Sequence, residues 1–272
     1  MTEPVQTSDA TDSTDAVAPP LAWWKEALRP FLTGLMFLTR LPCPEWVGHE
    51  AEYLARSTPY FPVIGLIVGG WGAAFFLGAA LALPPMVAAI ISTTATVWLT
   101  GAFHEDGLAD ACDGFGGGWG KDQILAIMKD SRIGSYGAVG LVLVMGAKLS
   151  CLATFSPEAA LRALVAAHVL GRWSSLPLIW ALPYVRETGA KGKPFAASVT
   201  PWRLAVGSIL AAVIVVAAVG SAAWAPALAV IGVTVLAGRY FHRIIGGITG
   251  DCLGATNQLA EVAVYMVLVA WS

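Results

Sequence analysis

Residues 103–118 read FHEDGLADACDGFGGG, and they place four acidic side chains, Glu105, Asp106, Asp110 and Asp113, in an otherwise apolar chain. Steps of three and four residues return to nearly the same side of an α-helix, so Asp106, Asp110 and Asp113 share one face within roughly 60°. Ionised carboxylates on one face repel each other unless a cation lies beside them. Their hard oxygen atoms suit Mg²⁺, Mn²⁺ or Ca²⁺ better than zinc. Glu105 points about 100° away from Asp106, and we expect it to be solvated.

The composition bears on whether this stretch is a metal site or only a solvated acidic face. Of the 272 residues, 57% are hydrophobic and 12% charged, and the mean hydropathy is +0.68. An ordinary globular domain has about 25% charged residues, so we expect an all-α, polytopic membrane bundle, in which an acidic cluster needs a partner. The net charge of −2 gives no reason to expect a nucleic-acid partner. The four cysteines lie far apart without a C-x-x-C motif, which indicates neither a zinc site nor a disulfide framework.

The chain divides into a tail and one membrane domain. Residues 1–20 are polar and rich in Ala, Pro and Thr, which predicts a disordered tail rather than a signal peptide. Residues 21–272 are the predicted integral membrane catalytic domain, which begins with an aromatic stretch at 21–41, interpreted as a helix in the membrane interface. Segments with the roughly 17 to 25 apolar residues of a membrane span number about seven, at 60–83, 85–103, 134–155, 159–184, 204–224, 226–241 and 253–271.

Lysine and arginine orient these spans. The connections on one side carry Lys25, Arg29, Arg40, Arg56, Lys121, Lys129, Arg132, Arg186, Lys191, Lys193, Arg203, Arg239 and Arg243, whereas those at 83–85, 156–158 and 221–226 carry none. The positive-inside rule places the basic side in the cytoplasm. We therefore expect a multi-pass protein of the cell inner membrane with its N-terminus inside and its C-terminus outside. The aspartate helix and a surface helix at 121–130 then face the cytoplasm.

Charged side chains also occur within the predicted spans. Lys148 and Arg172 are costly in hydrocarbon unless they snorkel to the interface, face the bundle interior or meet a partner. Beside carboxylates, they are candidates to hold an anionic substrate. In the last span, Asp251 has the position of a helix cap. Glu261 lies about two turns into an apolar helix and must be paired, protonated or coordinating.

Histidines and glycines suggest further roles. His104 lies two residues before Asp106, where it could act as a general base or donate to a phosphate. The isolated histidines, interpreted as interfacial or hydrogen-bonded side chains rather than ligands, are His49, His168 and His242. The glycines interpreted as sites of close helix packing are Gly134, Gly137 and Gly140.

Three motifs resemble the cobalamin synthase family, the adenosylcobinamide-GDP ribazoletransferases. They are F-H-x-D-G-L-A-D-x-x-D-G at 103–114, M-K-D-S-R-I-G at 128–134 and T-G-D-x-L-G-A at 249–255, in the family's order and spacing. The resemblance extends to T-R-L-P at 39–42, to Pro62 with Gly65, and to Lys148 and Arg172. It therefore covers nearly all of the chain after the N-terminal tail.

The resemblance implies a Mg²⁺-requiring enzyme that joins adenosylcobinamide-GDP to α-ribazole or α-ribazole 5′-phosphate. The products would be GMP and adenosylcobalamin or its 5′-phosphate. A ribose hydroxyl then attacks a phosphorus atom, and the charge on the phosphoryl oxygens needs metal and cationic stabilisation.

This reaction gives each candidate residue an expected role. We expect Asp106 and Asp110 to bind Mg²⁺, with Asp113 or Asp130 completing the site. The candidates to hold the diphosphate and the leaving GMP are Lys129, Arg132, Lys148 and Arg172, those to line the substrate cavity from the last span are Asp251 and Glu261, and the candidate base is His104.

Two other functions stay open at this point. The motif is reminiscent of CDP-alcohol phosphotransferases, but the segment from Asp106 to Asp110 has aspartate where those lipid enzymes have Ala-Arg. A cation-coupled or proton-coupled transporter would also carry charges inside its helices, at midplane sites reached from both sides. The aspartates here fall instead at the predicted cytoplasmic ends of spans. The sequence leaves open whether the protein forms a homo-oligomer.

Overall fold

The protein is built from helices. The structure is a computed structural model that describes residues 22–185 and 199–271. Its α-helices in these ranges are α1 (Trp23–Leu38), α2 (Ala51–Ser57), α3 (Phe61–Ala80), α4 (Pro85–Thr100), α5 (Phe103–Gly117), α6 (Lys121–Ile127), α7 (Ser135–Leu152), α8 (Pro157–Trp173), α9 (Ser175–Ala181), α10 (Pro201–Val219), α11 (Trp224–Ile245) and α12 (Gly250–Val269). The predicted all-α class is confirmed. The predicted tail at 1–20 and the basic residues Arg186, Lys191 and Lys193 lie outside the described residues.

Four helical segments of the described chain are long and apolar enough to cross a membrane. They are Ala51–Ala80, Ser135–Leu152, Pro201–Ile245 and Gly250–Val269, and a fifth candidate is α4 with α5, which are bent by 90°. The predicted spans 204–224 and 226–241 both fall in Pro201–Ile245, where Gly220, with φ 62°, separates α10 from α11. The predicted span 159–184 is divided into α8 and α9 and is not among the candidates. The membrane bundle is supported, and the count of seven spans stays a prediction.

Helix α8 is the most deeply buried helix of the site region, with every residue from 163 to 172 buried. Two glycines of α3 let α8 approach α3 closely. A Cβ atom on Gly65 would lie 2.4 Å from the carbonyl oxygen of His168, and one on Gly69 would lie 2.7 Å from that of Leu164. Small residues four apart are typical of closely packed membrane helices. This packing fixes the position of α8, which carries His168 and Arg172.

A sharp bend separates α4 from α5. Gly101, with φ 68°, and Ala102, with φ 59°, both adopt the left-handed conformation, which costs a residue other than glycine about 1 to 2 kcal/mol. Arg40 covers the bend, since its backbone N–H donates to Leu99 O at 2.7 Å. A Cβ atom on Gly101 would lie 2.5 Å from the Arg40 Nε atom. The aspartate helix α5 therefore starts in a new direction, braced by the segment after α1.

Candidate active site

Helices α5 and α12 touch backbone to backbone. A Cβ atom on Gly107 would lie 3.2 Å from the Cα atoms of Gly254 and Asp251, and one on Gly254 would lie 3.2 Å from Cα of Gly107. Backbone atoms of two packed helices cannot shift as a flexible side chain can, so both positions favour glycine. The contact joins the first and third sequence motifs and places Asp106 and Asp251 on the same cavity.

The cavity between these helices has an empty space of about 1090 Å³, its open mouth included. The charged and imidazole side chains that line it come from α5, α8 and α12, and they are His104, Asp106, Arg172 and Asp251. Asn257 adds an amide one turn before Glu261. Helices α1 and α3 contribute apolar side chains only, namely Phe37, Leu38 and Phe61. The cavity thus combines a polar lining with an apolar, aromatic one.

Glu261 is the centre of a buried ionic cluster beside this cavity. Its side chain is 1% exposed, and its oxygens lie 2.6 Å from Lys148 Nζ, 2.9 Å from His168 Nδ1 and 3.1 Å from Arg172 Nη1. The Lys148 ammonium also donates to Gln258 Oε1 at 2.6 Å. Arg172 Nη1 donates as well to the backbone carbonyl of His168 at 3.1 Å. Glu261 is therefore paired, as its position inside an apolar helix requires.

The cluster holds more positive than negative charge. The Lys148 ammonium and the Arg172 guanidinium face one carboxylate, so two positive charges and one negative charge leave a surplus of +1 when His168 is neutral. Arg172 also lines the cavity, and its buried Nε atom has no hydrogen-bond partner within the protein. A buried cation is stabilised when an anion completes its hydrogen bonds. The arrangement suits a phosphate group at this side of the cavity.

His104 lies in the cavity wall in the first turn of α5. Its side chain is buried, and its Nδ1 atom has no hydrogen-bond partner within the protein. The ring of Phe103 meets the imidazole edge to face, with centroids 5.3 Å apart. A buried imidazole nitrogen at a cavity wall can exchange a proton with a bound hydroxyl group. The position is compatible with the expected role of His104 as a base.

Asp113 turns away from the cavity toward α7. Its Oδ2 atom accepts the N–H of Gly134 at 2.7 Å, and its Oδ1 atom accepts that of Gly137 at 2.8 Å. A Cβ atom on either glycine would lie 2.4 Å from one of these oxygens, so the predicted close packing at these glycines is confirmed. Asp113 lies seven positions after Asp106, which corresponds to about 10 Å along the helix axis. Asp106 thus lines the cavity, whereas Asp113 caps the start of α7, and the half-buried Asp110 is not among the lining residues.

The second motif forms an exposed turn between α6 and α7. Arg132 Nη2 lies 2.6 Å from Asp130 Oδ2, and hydrogen bonds from the Arg132 side chain and backbone lower the pKa of Asp130 from 3.8 to about 2. Lys129 is exposed, and neither it, Asp130 nor Arg132 lines the cavity. The preceding Met128 has its sulfur 3.9 Å from Thr249 Oγ1. The turn is therefore attached to the start of α12, close to the third motif.

Glu105 differs from the sequence-based expectation. It is half-buried, and its Oε2 atom is shielded from solvent without a hydrogen-bond partner, so the prediction of a solvated side chain is wrong. The physical reason is that α5 is packed inside the bundle, so neighbouring helices that its periodicity does not reveal shield a side chain outside the aspartate face. Within the described ranges, no three His, Cys, Asp or Glu side chains lie together as a group that could hold a metal ion.

Sequence reasoning missed two kinds of site residue. His168, expected to be an interfacial or hydrogen-bonded side chain, is hydrogen-bonded in the structure. Its place in the ionic cluster is not predicted, although it lies four residues before Arg172 and hence on the same face of one helix; that spacing is the available signal. The aromatic residues Phe37 and Phe61 gave no signal, because apolar side chains that line a cavity cannot be told from those that face lipid in the sequence alone.

Residues 30–269 match the family described as cobalamin-5-phosphate synthase. This range contains the whole cavity and the ionic cluster. The chain belongs to this family. It is similar to proteins named adenosylcobinamide-GDP ribazoletransferase from Leptothrix cholodnii (45% identical, over 88% of this chain and 94% of the relative) and Shewanella frigidimarina (42%, over 91% and 96%). Another, from Polaromonas naphthalenivorans, is 39% identical over 89% of this chain and 97% of its own. No solved structure matches the chain. The family resemblance of the three motifs is thereby confirmed.

Proposed function

We propose that this protein is an adenosylcobinamide-GDP ribazoletransferase. It joins adenosylcobinamide-GDP to α-ribazole, or to α-ribazole 5′-phosphate, and releases GMP with adenosylcobalamin or its 5′-phosphate. The observation that carries the proposal is the contact between Gly107 and Gly254, which sets the carboxylates of Asp106 and Asp251 on the same cavity as Arg172. Family membership and the names of the relatives support it.

The cations of the buried cluster hold the reacting diphosphate. Arg172 lines the cavity with an unsatisfied Nε atom, so its N–H groups donate to the phosphate oxygens. Lys148 is paired with Glu261, the same carboxylate that Arg172 contacts, and adds positive charge without itself lining the cavity. Charge that develops on the phosphoryl oxygens during transfer is stabilised by such pre-positioned donors. Lys129 and Arg132, on the exposed turn, are assigned to the leaving GMP.

The carboxylate side of the cavity fits a Mg²⁺ ion. Asp106 and Asp251 offer hard oxygen donors on the cavity wall, and Mg²⁺ is usually bound by one or two carboxylates with water and substrate phosphates. We assign the ion to Asp106 and Asp110, which lie one turn apart on α5. Asp113 and Asp130, expected to complete the site, lie outside the cavity, the former held by two N–H groups of α7. Asp251, which lines the same cavity as Asp106, is therefore assigned in their place. When bound, the ion neutralises charge on the diphosphate oxygens.

His104 is assigned as the base for the attacking ribose hydroxyl. The imidazole takes the hydroxyl proton while the oxygen attacks phosphorus and GMP leaves. The buried position of His104 in the cavity wall, with no hydrogen-bond partner within the protein for its Nδ1 atom, supports this role. The apolar side chains from α1 and α3 keep bulk water away from the same space, which limits hydrolysis of the diphosphate.

We also propose that the protein lies in the cell inner membrane, among its lipids, with the cavity facing the cytoplasm. Single cysteines at Trp119 and Leu81, both 89% exposed, test the orientation in a variant without the four native cysteines. A membrane-impermeant thiol reagent added outside intact cells should label Leu81→Cys and leave Trp119→Cys unlabelled. Labelling of Trp119→Cys without labelling of Leu81→Cys would show the opposite orientation and contradict the proposal.

The two other functions are not favoured. Relatives that match over nearly their whole length are named ribazoletransferases, which supports neither a lipid phosphotransferase nor a transporter. The decisive experiment supplies purified protein in lipid nanodiscs with adenosylcobinamide-GDP, α-ribazole and Mg²⁺. We expect GMP and a cobalamin product in equal amounts. Wild-type protein that releases no GMP under these conditions would contradict the proposal.

A further inference from the structure

Helices α1, α3 and α9, which supply none of the charges of the cavity, contribute apolar side chains to its lining. Phe37 and Leu38 from α1 and Phe61 from α3 line it together with Phe103, the first residue of α5, and Ile179 from α9. We call these five residues the apolar wall. Leu38, Phe61 and Ile179 belong to one buried hydrophobic cluster, and Phe37 packs against that cluster.

The apolar wall adjoins the residues assigned to catalysis. The rings of Phe37 and Phe103 meet edge to face, with centroids 5.2 Å apart. Phe103 in turn meets the imidazole of His104 at 5.3 Å. A row of three rings therefore runs from α1 to the assigned base. If the ribose hydroxyl of a nucleoside lies at His104, the base attached to that ribose lies near Phe103.

We propose that the apolar wall binds the planar base of the ribazole substrate and so selects the nucleoside that enters the reaction. This inference rests on the proposed function and deepens it. The base of ribazole is a benzimidazole, which has no hydrogen-bond donor once it is attached to ribose. Its one acceptor nitrogen has its lone pair in the plane of the ring, so the two faces of the base are apolar and suit a wall of phenylalanine, leucine and isoleucine side chains.

The same chemistry disfavours the other base in the reaction. Guanine carries several hydrogen-bond donors and acceptors, which lose hydrogen bonds to water if they are buried against an apolar wall. A site lined by Phe37, Phe61 and Phe103 therefore discriminates against guanine while it stacks well with a benzimidazole. The leaving GMP is accordingly placed on the polar side of the cavity.

The test uses the full-length protein in lipid nanodiscs with three variants. Phe103→Leu keeps the apolar volume and removes the ring, Phe103→Tyr keeps the ring, and Phe75→Ala is the control. Phe75 is a phenylalanine of α3 that is 41% exposed and does not line the cavity. Phe103 is 44% exposed at the first turn of its helix, so neither Phe103 variant opens a hole in the buried core.

Loss of aromatic stacking against a base is expected to weaken binding by about tenfold. Phe103→Leu should therefore raise the KM for α-ribazole about tenfold and leave the KM for adenosylcobinamide-GDP within about twofold. Phe103→Tyr, which keeps the ring, should raise the KM for α-ribazole less than Phe103→Leu does, and Phe75→Ala should leave both KM values within about twofold of wild type. An increase confined to adenosylcobinamide-GDP, or no increase for either substrate, would overturn the proposal.

A binding measurement separates this inference from the proposed function. Calorimetric titration of α-ribazole into the protein without the second substrate should give an affinity that falls about tenfold in Phe103→Leu. Failure of wild-type protein to form a cobalamin, with this ring-dependent binding intact, would contradict the reaction and retain the nucleoside site. If wild-type protein turns over, and wild type and Phe103→Leu bind α-ribazole with equal affinity, the nucleoside site is rejected and the reaction is retained.

Discussion

The carboxylate of Asp113 on α5 accepts the backbone N–H of Gly137 on α7 at 2.8 Å, across a contact that leaves no room for a side chain at Gly137. The other oxygen accepts the N–H of Gly134 at 2.7 Å. Asp113 therefore supplies, from a neighbouring helix, the capping oxygens that the first turn of α7 needs.

Asp113→Asn should lower the stability of the folded protein more than the same change at an exposed acidic residue. The asparagine keeps one acceptor oxygen and turns an N–H₂ group toward a backbone N–H, and an unsatisfied buried donor costs about 1 to 3 kcal/mol. Thermal unfolding of the purified protein without added Mg²⁺ measures this loss. The matched control is Asp122→Asn, at an exposed position in the first turn of α6. Equal unfolding temperatures for the two variants would contradict the capping role.

Asp106→Asn and Asp110→Asn should show the opposite pattern. Asp106 is exposed to the cavity and Asp110 is half-buried, so loss of either charge should change stability little. Loss of a ligand or donor that stabilises transferred phosphoryl charge reduces turnover by about 100-fold or more. Turnover with saturating substrates and binding of Mn²⁺ measured by electron paramagnetic resonance test both assignments. Retained turnover together with undiminished Mn²⁺ binding would remove these residues from the metal site.

Glu261→Gln should destabilise the protein strongly, because it leaves Lys148 and Arg172 buried without a carboxylate. Removal of one partner from a buried ion pair costs about 3 to 5 kcal/mol. Lys148→Met on the same background should recover part of the loss, since one of the uncompensated charges is then removed. Denaturant unfolding of the two single variants and the double variant forms the thermodynamic cycle. Strictly additive effects would show that the two side chains do not interact.

Gly107→Ala should reduce both stability and turnover. The added Cβ atom would lie 3.2 Å from backbone atoms of Asp251 and Gly254, and overpacking of this kind costs about 1 to 3 kcal/mol. Separation of α5 from α12 also moves Asp106 away from Asp251. The control is Gly70→Ala in α3, where a Cβ atom meets nothing within 4 Å. If both alanine variants behave like wild type in activity and unfolding, the close contact is not required.

Asp130→Asn should lower the stability of the folded protein only at pH values at which the wild-type carboxylate is ionised. The pKa of Asp130 is lowered from 3.8 to about 2 by its hydrogen bonds to Arg132. A lowered pKa stabilises the folded state above the ordinary value of the group, and this stabilisation is lost as the pH falls through the folded value. The difference in unfolding temperature between wild type and variant should stay constant near neutral pH and close as the pH falls toward about 2. A difference that changes near neutral pH would point to another group.

The sequence by itself determined the class of the protein and the chemistry of its motifs. Hydrophobic content with few charges predicted the helical membrane bundle, and the position of Glu261 inside an apolar helix required a partner. The order and spacing of three motifs predicted the family. Helical periodicity also placed Asp106, Asp110 and Asp113 on one face, which is correct as far as the angle around the helix is concerned.

The tertiary structure alone decided which partner each of these residues meets. Periodicity gives the direction of a side chain around its helix and not the neighbour that lies at its level along the axis. Asp113 therefore caps α7 while Asp106 lines the cavity, and Glu105 is shielded although it was expected in solvent. Likewise, Lys148, His168, Arg172 and Glu261 belong to three different helices, α7, α8 and α12. Their meeting depends on close helix contacts such as that of Gly171 on α8, where a Cβ atom would lie 3.0 Å from the Glu261 side chain on α12.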